Sequence, residues 1–255
     1  MTDGTVARLR DPLLQRADFA DVFLGPWPSL ALRELAERPV YLESDGPVPF
    51  GEMFELKGEP NGRIRFIGDL AMADRLGAGM TEGEVVVESN LGNEAGLALA
   101  GGTIVIEGDV GPRAGAAPLG FKRGMTGGEL IVRGSTGPGA GAAMRRGLLV
   151  VGKRAGDQTG IGMIAGTVVV FGAAGTDSGL WSKRGTVVAL GRITPPPTYV
   201  YACTYQPVHL RLLLTRLAAR YGLPVRPRHL KGFYRRYSGD MAELGKGEIM
   251  TWAAK

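Results

Sequence analysis

From Gly62 to Gly191 the chain repeats one short pattern: a glycine, four residues that are mostly aliphatic, then a polar or glycine-rich corner. The apolar runs are Glu84–Val87, Thr103–Ile106, Glu129–Val132, Leu148–Val151, Thr167–Val170 and Thr186–Ala189, each directly after Gly83, Gly102, Gly128, Gly147, Gly166 or Gly185. The steps between those glycines are 19, 26, 19, 19 and 19 residues. A second glycine column (Gly77, Gly96, Gly115, Gly141, Gly160, Gly179) and a third (Gly92, Gly111, Gly137, Gly156, Gly175) keep the same period. The long step is one ordinary unit with a seven-residue insertion between Gly115 and Gly128. Short β-branched runs bounded by glycine predict strands, and a 19-residue unit leaves no room for a helix of 10–12 residues. Arg63–Phe66 reads as an earlier, less regular copy. Identical strands at constant period pair with the next unit in parallel register. The pattern predicts an all-β chain, a right-handed parallel β-helix of about seven coils.

Alternation within each strand divides it into two faces. Residues two and four after the strand glycine (Val85 and Val87, Ile104 and Ile106, and so on) point inward. Those three after it form an outward column: Val86, Val105, Ile131, Val150, Val169 and Val188. Leaving such a side chain in water forgoes roughly 1.5–3 kcal/mol, so the column should be covered, as a partner-covered stripe or by the chain's own ends. The segment Val208 to Tyr221 reads as a helix with Leu210, Leu213, Leu214, Leu217 and Tyr221 on one side, a natural cover for part of it. A stacked column of Met80, Leu99, Met125, Met144 and Met163 reads as core filler.

Three regions follow. Residues 1–61 read as an N-terminal cap, with Ser29 capping a short helix from Leu30 to Glu37 and a strand at Phe54–Leu56. Residues 62–191 are the repeats. Residues 192–255, stiffened at Pro195–Pro197, carry the helix and a tail that packs on the repeats, ending in a turn and a short strand.

Composition narrows the chemistry. The 255 residues include 41 glycines, as tight stacked corners require, and a single cysteine, Cys203, which excludes an internal disulfide and points to a reducing, cytoplasmic setting. No run of 18 apolar residues and no signal-peptide pattern is present, so no membrane contact is expected. The net charge of +5 does not demand nucleic acid. The only histidines, His209 and His229, lie outside the repeats without a Cys or carboxylate at ligand spacing, so neither a metal site nor a catalytic residue is expected on this chain. The Gly-rich loops lack the Lys-Ser/Thr of a nucleotide loop. Basic pairs recur at Lys122-Arg123, Arg145-Arg146, Lys153-Arg154 and Lys183-Arg184. Arg145-Arg146 and Lys183-Arg184 occupy equivalent positions two units apart, about 10 Å on one face. They are either a solvated basic edge or a track for a polyanionic ligand or acidic partner. The insertion, with Phe121, Lys122 and Arg123, reads as a projecting loop suited to binding.

The chain resembles the C-type subunit of formylmethanofuran dehydrogenase and of its methylotroph relative, the formyltransferase/hydrolase complex. The resemblance rests on Gly68-Asp69-Leu70, Gly77-Ala78-Gly79-Met80, Arg123 to Gly128, Met144 to Gly147, and the tail Gly239-Asp240 with Gly245 to Ile249. It implies a β-helical structural subunit without catalytic groups or cofactors of its own. Its implied partners are an amidohydrolase-like subunit, a formyltransferase subunit and a further subunit of the same complex; the metal ions and a methanofuran-type carrier are expected on those partners. The methylotroph complex moves a formyl group from formyl-tetrahydromethanopterin to the carrier and hydrolyses it to formate. The archaeal complex makes formylmethanofuran with a molybdenum or tungsten pterin. Compact length and Ala/Arg-rich composition lean towards the bacterial version. The resemblance also offers a purpose for Lys122, Arg123, Arg145, Arg146, Lys183 and Arg184, because such carriers can bear an oligoglutamate tail. An independent β-helix enzyme, acting on a polysaccharide or acyl substrate, remains the alternative from another class.

Overall fold

The computed structural model describes residues 4–253. Strands β1 (Thr5–Leu9), β2 (Ala17–Asp18), β3 (Pro39–Leu42), β4 (Gly46–Pro49) and β5 (Phe54–Gly58) precede the repeats. The repeats supply β6 (Arg63–Ile67), β7 (Ala73–Asp74), β8 (Glu84–Val87), β9 (Thr103–Ile106), β10 (Glu129–Val132), β11 (Leu148–Val151), β12 (Thr167–Val170) and β13 (Arg184–Ala189). After them come β14 (Val200–Tyr205), β15 (Phe233–Gly239) and β16 (Lys246–Ala253). Helices are few: α1 (Leu32–Ala36), α2 (Phe50–Met53), α3 (Val208–Tyr221) and α4 (Pro227–Lys231).

Twelve strands form one sheet in the order β14-β15-β16-β13-β12-β11-β10-β9-β8-β6-β1-β5, and β4-β3-β2-β7 form a second, four-stranded one. Within the repeats every pair is parallel and unshifted: Val86 lies opposite Val105, Val105 opposite Ile131, Ile131 opposite Val150, Val150 opposite Val169 and Val169 opposite Val188. Isolated parallel bridges link Leu70, Leu91, Val110, Thr136, Ala155 and Ala174 at a second point of each unit. The expected right-handed parallel β-helix is nevertheless not what the chain forms as a whole. The large sheet is mixed: β1·β5, β14·β15 and β15·β16 are antiparallel. The physical reason lies outside the repeats. Period-19 units can only add parallel strands, whereas the flanking segments fold back on themselves. An all-β composition is compatible with the structure; the predicted architecture is corrected to a mixed sheet.

The alternation separates two cores. One takes the inward residues, such as Val85, Ile104, Leu130, Leu149 and Val168, together with Met80, Leu99, Met125, Met144 and Met163, all fully buried. Phe19, Phe23, Phe50, Phe54, Phe66 and Trp27 fill the same core beside β6, with ring pairs meeting mostly edge to face. The expected cap at Ser29 is not formed. Ser29 lies in a 3₁₀ turn and its Oγ donates to the Pro26 carbonyl, so the helix starts later, at Leu32, where Glu34 accepts the Ala31 N–H at 2.8 Å.

Candidate functional site

The second core holds the outward column. Val105, Ile131, Val150, Val169 and Val188 are buried with Leu210, Leu214, Leu217 and Tyr221 of α3, while Val86, nearer the β6 end, is half-buried. The expected partner-covered stripe is thus covered within the chain, and α3 spans the residues its apolar spacing predicted. A polar clamp fastens the helix. Glu129 on β10 takes ion pairs from Arg216 at 2.6 Å and Arg220 at 3.7 Å, and its carboxylate accepts the Tyr221 hydroxyl. Burial, and then that carboxylate, push the Tyr221 phenol up to about 12. A phenol raised in the folded state stabilises the fold below its ordinary value of about 10 and loses that contribution as the pH climbs through 12. Wild type should therefore exceed Tyr221→Phe by roughly 1–2 kcal/mol at neutral pH. Denaturant titrations from pH 9 to 12 should show that gap closing; a constant gap would dismiss the clamp.

The six candidate cations occupy an edge of the repeats and its neighbouring loop. Arg145 N–H bonds the Met125 carbonyl, Ile164 the Met144 carbonyl and Lys183 the Met163 carbonyl, which stacks Arg145 and Lys183 two units apart with Ile164 between. Arg146 and Arg184 follow them. Lys246, which sequence reasoning missed, sits opposite Arg184 in the β13·β16 register. A signal was available, since Lys246 precedes Gly247 as Arg184 precedes Gly185. Lys122 and Arg123 project on the insertion with Leu119 and Phe121, which are 80% and 73% exposed. Hydrogen bonds from Ala117 N–H to the Ala142 carbonyl and from Gly124 N–H to the Ala143 carbonyl seat both ends of that loop on the unit that carries Arg145. Among the described residues none of these six side chains, nor Lys246, takes an ion pair or a side-chain hydrogen bond. Such an edge of unpaired cations attracts polycarboxylates.

Sequence reasoning also missed a corner where non-glycine residues hold positive φ. Arg75, Glu94, Arg113, Gln158 and Asp177 stack there, and each of the first four sends its N–H to a carbonyl of the next unit. Arg113 donates to Glu94 at 2.8 Å and Arg75 pairs with Asp18. These ladders pin the corner, where glycine stands only at Gly139, between Arg113 and Gln158.

His229 is buried against Trp252, with ring centroids 6.1 Å apart, and lines a cavity of about 330 Å³ with Gln206, Arg211 and Lys231. Burial, then Arg228 and Arg226, hold its imidazole below the ordinary histidine value. His209 is exposed on α3. Among the described residues no three His, Cys, Asp or Glu side chains gather where they could hold a metal ion, and no helix is long and apolar enough to cross a membrane.

The whole chain aligns with one chain of the crystal structure of the formyltransferase/hydrolase complex from Methylorubrum extorquens in complex with methylofuran. The TM-score is 0.76 and the sequence identity 31%, over 98% of this chain and 100% of that one. This chain belongs to the family of that complex component. No family model matches the sequence, and no curated protein does. The match runs through the flanking segments as well as the repeats.

Proposed function

We propose that this chain is the structural, C-type subunit of a formyltransferase/hydrolase complex. That complex passes a formyl group from formyl-tetrahydromethanopterin to a methanofuran-type carrier and releases formate. Its neighbours are an amidohydrolase-like subunit, a formyltransferase subunit and a further subunit, and the reacting groups and metal ions lie on those neighbours. The observation that carries this reading is the end-to-end match to one chain of the Methylorubrum extorquens complex. Co-expression with the neighbouring subunits should yield one complex that releases formate, while the chain alone turns over nothing. Turnover by the isolated chain would reject the structural role.

The unpaired edge of Arg145, Arg146, Lys183 and Arg184, with Lys122 and Arg123 on the loop, suits the carboxylate-rich tail of such a carrier. Alanine at the first four should raise KM for a long-tailed carrier roughly 10-fold in the intact complex, each exposed contact being worth about 0.2–1 kcal/mol. The effect should fade with added salt. An unchanged KM with the complex intact would remove the edge from carrier binding.

A further inference from the structure

Trp181 holds a backbone conformation that a large side chain seldom adopts, and it does so facing solvent. Its φ is +58° and its side chain is 56% exposed. The corner it occupies is carried in the two preceding units by Ala143 and Gly162, tied in series by Ala143 N–H to the Ile161 carbonyl and Gly162 N–H to the Leu180 carbonyl. Only the last unit puts an aromatic ring there. The conformation is held from beneath: the Trp181 N–H donates at 2.7 Å to the carboxylate of Asp240, a fully buried residue. The Asp240 N–H reaches the Ser182 carbonyl and the Met241 N–H the Thr198 carbonyl, so the 240–245 turn is stitched beside Trp181. That turn exposes Met241 and Leu244, each 54% exposed. A strained, buttressed tryptophan more than half exposed, beside a turn that also exposes Met241 and Leu244, leaves apolar surface that the chain does not cover.

We propose that Trp181, Met241 and Leu244 form the anchor of a docking surface for a neighbouring protein subunit with carboxylates around an apolar socket. The charge decides the occupant. Lys183, Arg184 and Lys246 border this end of the sheet against Asp177 and Glu243, leaving a positive excess. A second copy of the chain, meeting it across a two-fold axis, would set those cations against themselves. An acidic rim on another subunit neutralises them, and exposed tryptophan flanked by cations is the composition that concentrates binding energy. The inference rests on the reading of this chain as one subunit of a complex.

Trp181→Gly separates binding from folding, because glycine accepts the positive φ and keeps the N–H that Asp240 holds. The full-length variant should melt within about 4 °C of wild type. Co-expressed with the other subunits of its complex, it should bind them about 30-fold or more weakly by titration of the purified components. Lys246→Glu should weaken the same step, most at low salt. Oxidative footprinting of the wild-type complex should protect Trp181 and Met241. Wild-type assembly with unchanged affinity for Trp181→Gly would overturn the docking surface while leaving the subunit reading intact. Failure of the wild-type chain to assemble at all would overturn both. Loss of a self-associated form in Trp181→Gly, with subunit binding preserved, would assign the surface to a second copy and overturn the proposal.

Discussion

Gly101→Ala should abolish folding. An added methyl at Gly101 would overlap the carbonyl oxygen of Thr81 in the preceding unit. Both sides of that contact are main chain, so no rotamer change relieves it. The Gly101 N–H is also bonded to the Met80 carbonyl at 3.0 Å, which prevents the corner from sliding away. The units can make room only by parting β8 from β9, which sacrifices their four-residue register and opens the inner core around Met80 and Ile104. A clash of this type belongs with the rare substitutions that cost more than about 4 kcal/mol. The measurement is thermal melting beside Gly120→Ala as control. Gly120, unlike Gly101, has positive φ, +81°, but nothing lies within 4 Å of the added carbon, so that variant should cost only about 1–2 kcal/mol. Equal melting of the two variants would show that the stacked corners yield more easily than their geometry implies.

Leu214→Ala should loosen α3 from the sheet. Leu214 is fully buried and shares its core with Val150, Val169 and Val188. Truncation there removes packing on the helix that covers much of the outward column, for an expected loss of about 2–5 kcal/mol. Leu212, on the same helix but 63% exposed, should tolerate alanine within about 0.5 kcal/mol. Hydrogen exchange should locate the damage, with amides of α3 losing protection well before those of β9–β12. A uniform loss of protection would mean that helix and sheet open as a single unit.

The repeats and α3 were legible because their signals are local or periodic. Once glycine recurs every 19 residues beside a four-residue apolar run, register follows, since a slip of one residue would turn the inward Val85, Ile104 and Leu130 outward. The candidate cations were legible as pairs, and equivalent positions placed Arg145 and Lys183 on one edge. Ser29 misled because a good capping residue is also a good turn residue, and Pro26 and Pro28 favour the turn.

By itself, then, the sequence determined which residues form the repeated strands, which side of each strand turns inward, where α3 runs and which cations share an edge. Each of these depends on spacing within one unit or between adjacent units. Only the tertiary structure decided that the sheet is mixed, with β1 between β5 and β6 and β16 extending beyond β13. It also decided how much of the apolar column the chain itself buries, that Glu129 clamps Tyr221, and that Asp240 holds Trp181. Those last two contacts join residues 92 and 59 positions apart. Their partners are single side chains without a period, and nothing short of the packed chain brings them within bonding distance.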